Sequence, residues 1–270
     1  MQLGPVVPAA FSVVFPSGSV SSFFLLTAGI VTGFVDSIAG GGGLVSLPCI
    51  SLVVGPGVDA IGTNKIAGLG AALVALVVYA RHGHVDWRRS VAFMVATGVG
   101  SFTGSRLAPL VPASAFPWLL AATCPVILYI VWKKDLWSAR EVLPSAPGAH
   151  VFLAVAAAGF GCGVYDGIWG PGAGTFMFLA LVFIARLPLL TSLAAAKLAN
   201  TASAATALVS YGMQGHVHVL PGLMVAAGTL AGGYVGAHQA NKRASRIVRP
   251  VLAVVVALLV IKLMVESAHA

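Results

Sequence analysis

Charge is what this 270-residue chain has least of: Asp, Glu, Lys and Arg together make up 8% of it, against 59% hydrophobic residues and a mean hydropathy of +0.98. A soluble domain cannot hide that much apolar surface. No basic residue precedes Lys65, so the positive n-region of a cleaved signal peptide is missing, and the first apolar stretch is expected to stay in the mature chain. Cysteine is scarce as well: Cys49, Cys124 and Cys162 lie inside apolar stretches at no metal-like spacing and read as small core residues. No Ser/His/Asp or Cys/His arrangement suggests a nucleophile, so an enzyme is not expected, and nothing calls for a cofactor or a metal. The formal charge of +8 sits mostly in short clusters between apolar segments, a pattern of membrane orientation and not of a nucleic-acid surface.

What is present is a series of apolar stretches of about twenty residues, the length that crosses roughly 30 Å of hydrocarbon as a helix. They fall near 18–36, 38–54, 59–80, 90–111 and 114–132, and again near 149–166, 169–185, 188–211, 219–239 and 247–265. The expected fold class is therefore all-α and polytopic. One integrated membrane domain is built from a first repeat over 1–132, a cytoplasmic linker over 133–148 and a second repeat over 149–270.

The two halves align. Asp36 falls on Asp166, Gly40 on Gly170 and Gly42 on Gly172; after a short offset, Lys65 falls on Lys197, Tyr79 on Tyr211 and His84 on His216. Their basic loops do not align. "RHGHVDWRR" at 81–89 is cationic where its counterpart "GMQGHVHVLPG" has no Lys or Arg, and "NKRASRIVR" at 241–249 is cationic where its counterpart holds only Arg106. Basic loops collect in the cytoplasm, so this antisymmetry predicts inverted topology, with an odd number of crossings per half and both termini outside.

"VDSIAGGGG" at 35–43 and "YDGIWGPGAG" at 165–174 put an acid and several glycines into apolar sequence at equivalent places. Glycine weakens a helix by about 1 kcal/mol relative to alanine, and Pro171 removes a backbone donor, so the helix is expected to break or re-enter at Gly40, Gly41, Gly42 and Gly43 and at Gly170, Gly172 and Gly174. Broken backbone at membrane depth belongs where it is buried in protein or lines a wet cavity. Each restarting half-helix offers free N–H groups and a positive dipole end, which favour an anion.

Lys65 and Lys197 lie about two turns inside apolar segments, where an uncompensated cation is costly. They are candidates to face a central cavity and attract an anion. Asp36 and Asp166 would cap the restarting helices or pair with the lysine of their own half. Asn64 and Asn200, with Thr63 and Thr201, add hydrogen-bonding groups as substrate contacts or packing glue. His84 and His216 fall in loops, and Trp87, Trp118, Trp132 and Trp137 near segment ends, as interfacial anchors do. "GGGGLVSLP" lacks the Lys-Ser/Thr of a P-loop, which disfavours ATP-driven transport by this chain.

"GFVDSIAGGGGLVSLP", "IGTNKIAGLGAALVALVVYARHGHVDW", "GVYDGIWGPGAGTF" and "AAAKLANTASAATALVSYGMQGHVH" together resemble the TauE/SafE family of bacterial membrane proteins, from about residue 20 to 265. The second copy departs from the family's usual glycine triplet by reading "GPGAG", which bears on whether the halves contribute equally. The resemblance implies a multi-pass transporter of the cytoplasmic membrane that handles sulfite, sulfoacetate or related small anions. The expected partners are a small anionic solute, membrane lipids and, as an option, further copies of the chain. Two rival readings are a carrier of another solute, such as an organic acid or a cation held by Asp36 and Asp166, and a membrane assembly protein that transports nothing.

Overall fold

The computed structural model describes residues 18–112 and 149–268, and among them every regular element is helical. The chain forms α1 (Gly18–Ala39), α2 (Gly43–Val54), α3 (Val58–Arg81), α4 (Trp87–Leu107) with a short 3-10 turn over Ala108–Leu110, α5 (Ala149–Ile168), α6 (Ala173–Phe183), α7 (Leu189–Met213) and α8 (Val219–Ala268). The segment at 114–132, the linker at 133–148, Cys124 and Trp118, Trp132 and Trp137 lie outside the described residues. Trp87 starts α4 and is exposed.

Among the described residues, four stretches are long and apolar enough to cross a membrane: Ser22–Ala39, Val58–Arg81, His150–Ile168 and Val219–Arg243. α2 and α6 have 12 and 11 residues. At 1.5 Å per residue they reach only about 16–18 Å, half the hydrocarbon thickness. The segments expected at 38–54 and 169–185 are thus a break followed by a short helix. The last two expected segments, near 219–239 and 247–265, are two helices that meet at a kink at Arg243 (φ −144°, ψ 39°), inside "NKRASRIVR", and are labelled together as α8.

The halves interlock. α1 packs along α8, and α4 packs along α5 and α7. Small residues set these contacts: a Cβ on Gly33 would lie 2.3 Å from Thr229 O, and one on Gly104 would lie 2.2 Å from Val164 O. Gly33→Val is therefore expected to cost about 1–3 kcal/mol by overpacking. Gly161→Val is the control, because a Cβ there meets nothing within 4 Å. Thermal unfolding in detergent should separate the two.

Directions follow from paired contacts. α3 and α8 run side by side in the same sense, with Thr63 at His218, Ile66 at Gly222, Val74 at Gly233 and His84 at Asn241. α4 and α7 do the same, with Gly98 at Thr206 and Ser105 at Gln214. The start of α3, by contrast, meets the end of α7, where a Cβ on Gly62 would touch His216 and Tyr211.

Candidate functional site

The first break begins where α1 ends at Ala39. Gly40 takes φ +77°, and α2 restarts at Gly43. The second opens after Ile168, with Gly170 at φ +97° and Gly172 at φ +79°, before α6 restarts at Ala173. These left-handed conformations suit glycine, whose missing Cβ removes the steric penalty. The two breaks touch: Thr175 Oγ1 donates to Ala39 O at 2.6 Å, and a Cβ on Gly40 would lie 2.3 Å from Gly174 C. Two fully buried tyrosines hold the helix ends at equivalent places. Tyr79 donates to Ser37 O at 2.8 Å and Tyr211 to Gly167 O at 2.5 Å, satisfying carbonyls that a helix end leaves open.

Both lysines are buried, at 4% exposure for Lys65 and 2% for Lys197. Lys65 Nζ lies 3.1 Å from Asp166 Oδ1 and also donates to the Asp166 carbonyl. Lys197 Nζ lies 2.7 Å from Asp36 Oδ2 and also donates to the Asp36 carbonyl. Each lysine therefore pairs with the aspartate of the other half, and the expectation of pairing within a half is corrected. The physical reason is the interlocking of the halves, which brings each break to the lysine-bearing helix of the opposite repeat. Capping is present on one side, where Asp36 Oδ1 accepts a long bond of 3.4 Å from Gly42 N–H. Asp166 Oδ2 instead accepts from Ser203 Oγ at 2.5 Å, and the position aligned with Ser203 is Ala71. Two cations and two anions sum to zero charge at the centre.

Beside these pairs lies a cavity of ≈ 30 Å³. That is room for about two or three water molecules. Asp36, Gly40, Gly43, Asn64, Lys65, Asp166, Gly170, Gly174 and Asn200 line it, whereas Lys197, Gly41, Gly42 and Gly172 do not. Asn64 and Asn200 come together there although they occupy different places in the repeat, aligned with Ala196 and Gly68. Thr63 accepts from His218 N–H and Thr201 bonds to Lys197 O, so both have structural partners. Thr32 and Ser46 also line the cavity and were not singled out by the sequence. The signal for Thr32 was its departure from the repeat, since the aligned position is Cys162.

The histidines do not line the cavity. His84 Nε2 lies 2.6 Å from Asn241 Oδ1 at one end of α3, and His216 Nδ1 lies 2.6 Å from Asp59 Oδ1 at the other. The basic stretches at 81–89 and 241–249 thereby meet at one end of the molecule.

Residues 25–263 match the family model described as Sulfite exporter TauE/SafE. A Sinorhizobium protein named probable membrane transporter protein ORF9 is 32% identical over 250 residues, covering 91% of this chain and 93% of the relative. The probable membrane transporter protein YfcA of Escherichia coli K12 is 28% identical, covering 90% of this chain and 89% of its own. The probable membrane transporter protein YunE of Bacillus subtilis is 25% identical, covering 92% and 98%. No solved structure gives a significant match.

Proposed function

The chain belongs to the TauE/SafE family of multi-pass membrane transporters, and from that premise we propose that it is a secondary transporter exporting a small anion such as sulfite or an organosulfonate. The observation that carries this reading is the meeting of two glycine breaks over two buried lysine–aspartate pairs exchanged between the halves. Gly43 and Gly174, in the first turns of α2 and α6, line the cavity and bring the positive dipole ends of both restarting helices to it. Lys65 adds a cation that an entering anion can share with Asp166. The cavity's size favours the smallest members of the substrate class, with few non-hydrogen atoms.

Inverted-topology repeats fit this function, because such transporters place their site at broken helices between the repeats and rock one half against the other. Support comes from the shared sense of α3 and α8, the opposite placement of the two G-H-V loops on α3, and the clustering of basic residues at one end. With that end in the cytoplasm of an inner membrane, both termini lie outside. Export of one negative charge then gains about 2.3 kcal/mol per 100 mV of interior-negative potential. The cation reading is disfavoured by a specific contact: both carboxylates are already engaged by lysines.

The test is efflux of sulfite, sulfate, thiosulfate and sulfoacetate from proteoliposomes under an imposed potential, with Lys65→Met beside the unmodified protein. At least one anion is expected to leave faster when the interior is negative, and Lys65→Met to reduce that rate about tenfold or more, the equivalent of about 1.4 kcal/mol. Folded protein that moves none of these anions would contradict the proposal and favour a non-transporting assembly role.

A further inference from the structure

Two cavity-lining residues of the first half, Thr32 and Asn64, each carry a buried polar atom without a partner. Thr32 Oγ1 and Asn64 Oδ1 make no hydrogen bond, in residues that are 2% and 8% exposed. Leaving such a group unpaired in the interior costs about 1–3 kcal/mol, so each one calls for a reason. Three neighbouring polar residues have theirs: Ser46 Oγ bonds to Gly42 O, and Lys65 and Asp166 bond to each other. The scaffold does not require the two unpaired groups either. The second half keeps the aspartate, the lysine and the glycine break with Cys162 and Ala196 at the aligned positions.

Charge and hydrogen bonding together narrow the occupant. Lys65, Lys197, Asp36 and Asp166 cancel, so an anion entering the buried centre adds its whole charge to a neutral site. The desolvation cost of an ion grows with the square of its charge, which penalises a dianion far more than a monoanion. Asn64 Oδ1 is an acceptor and needs a donor, which a bare oxyanion does not have. A hydroxyl on the anion supplies it. Thr32 Oγ1, a donor as well as an acceptor, can give its proton to one of the anion's remaining oxygens.

Resting on the transport reading above, we infer that the cavity takes the singly charged, protonated form of a small oxyanion, with Asn64 accepting its O–H and Thr32 donating to an oxygen. One proton then travels with each oxyanion, and the moving unit carries a single negative charge. Thr32 and Asn64 make these two contacts from the first half, and Asn200 of the second half lines the same cavity.

The experiment measures initial efflux from proteoliposomes of the full chain, loaded with sulfite at equal internal and external pH across the range where its monoanion gives way to its dianion. Sulfate is the comparator that stays doubly charged, and methanesulfonate the one that is singly charged without an O–H. The methanesulfonate profile corrects for any effect of pH on the protein itself. Corrected sulfite efflux should follow the monoanion fraction, falling about tenfold per pH unit above the transition, and sulfate should move at less than about a tenth of the sulfite rate. Asn64→Leu and Thr32→Val, each similar in shape to the residue replaced, should each lower sulfite efflux about tenfold, the size of one hydrogen bond to a charged ligand. Asn64→Leu should also remove the preference for sulfite over methanesulfonate. Efflux independent of pH after correction, or sulfate moving as fast as sulfite, would overturn the inference while leaving anion transport intact. Folded protein moving no anion would overturn both.

Discussion

Asp36→Asn is expected to cost the protein about 3–5 kcal/mol, because it leaves the Lys197 ammonium buried without its counter-ion. Removing Lys197 at the same time, as Asp36→Asn with Lys197→Met, should recover most of that loss, since a buried pair replaced whole is far less damaging than a pair broken. The same holds for Asp166 with Lys65. The double-mutant cycle is the informative form of the measurement. Thermal unfolding in detergent should show strong coupling between residues 36 and 197 and between 166 and 65, and weak coupling between 36 and 65 or 166 and 197. Strong coupling within the halves would contradict the exchange of partners. Transport should fail in every one of these variants, since the doubly neutral protein folds but has lost half of its central charges.

Gly40→Ala is the second large effect. The residue holds φ +77°, which costs a non-glycine residue about 1–2 kcal/mol, and its new Cβ would lie 2.3 Å from Gly174 C and 2.5 Å from Thr175 N. Those atoms are backbone of the other break and cannot swing aside as a side chain would. Adding about 1–3 kcal/mol of overpacking gives about 2–5 kcal/mol in all. Moving the second break would also pull Thr175 from Ala39 O. Gly172→Ala separates the two causes. It has nearly the same φ, +79°, but open space around the added Cβ, so only the conformational cost applies. Equal melting temperatures for the two variants would show that the breaks do not press on each other.

Much of this arrangement is legible in the sequence because backbone chemistry is local. Four consecutive glycines, or a glycine–proline–glycine run, cannot continue a helix cheaply wherever they occur, and α2 and α6 restart at Gly43 and Ala173 accordingly. Buried lysines in apolar segments announce partners for the same reason, since a lone cation there is too costly. What the repeat does not reveal is which partner. An alignment states that Lys65 and Lys197 are equivalent and says nothing about which aspartate each one reaches; an intra-half pair and an inter-half pair use identical chemistry. The decision lies in tertiary packing, in how α1 lies on α8 and α4 on α5. The unpartnered Thr32 and Asn64 were hidden for a different reason. A threonine in an apolar helix ordinarily bonds back to its own helix, as Thr97 does to Phe93 O, and only the structure shows that Thr32 Oγ1 does not. The basic stretch at 241–249 marked a true interruption, since the two helices of α8 meet at a kink at Arg243.

The measurement that bears most directly on the central claim, that solute passes through the cavity between the two breaks, is efflux by Gly68→Leu. Gly68 borders the cavity, and a Cβ at this position meets nothing within 4 Å, so the added side chain enters open space and leaves all four central charges in place. Leucine also favours the helix over glycine by up to about 1 kcal/mol, so the variant should fold at least as well as the unmodified protein. With folding checked by thermal unfolding, we expect Gly68→Leu to retain the melting temperature and to lose at least about nine-tenths of the anion efflux, the tenfold change that about 1.4 kcal/mol produces. Unimpaired efflux from the folded variant would contradict the account and place the path elsewhere in the molecule.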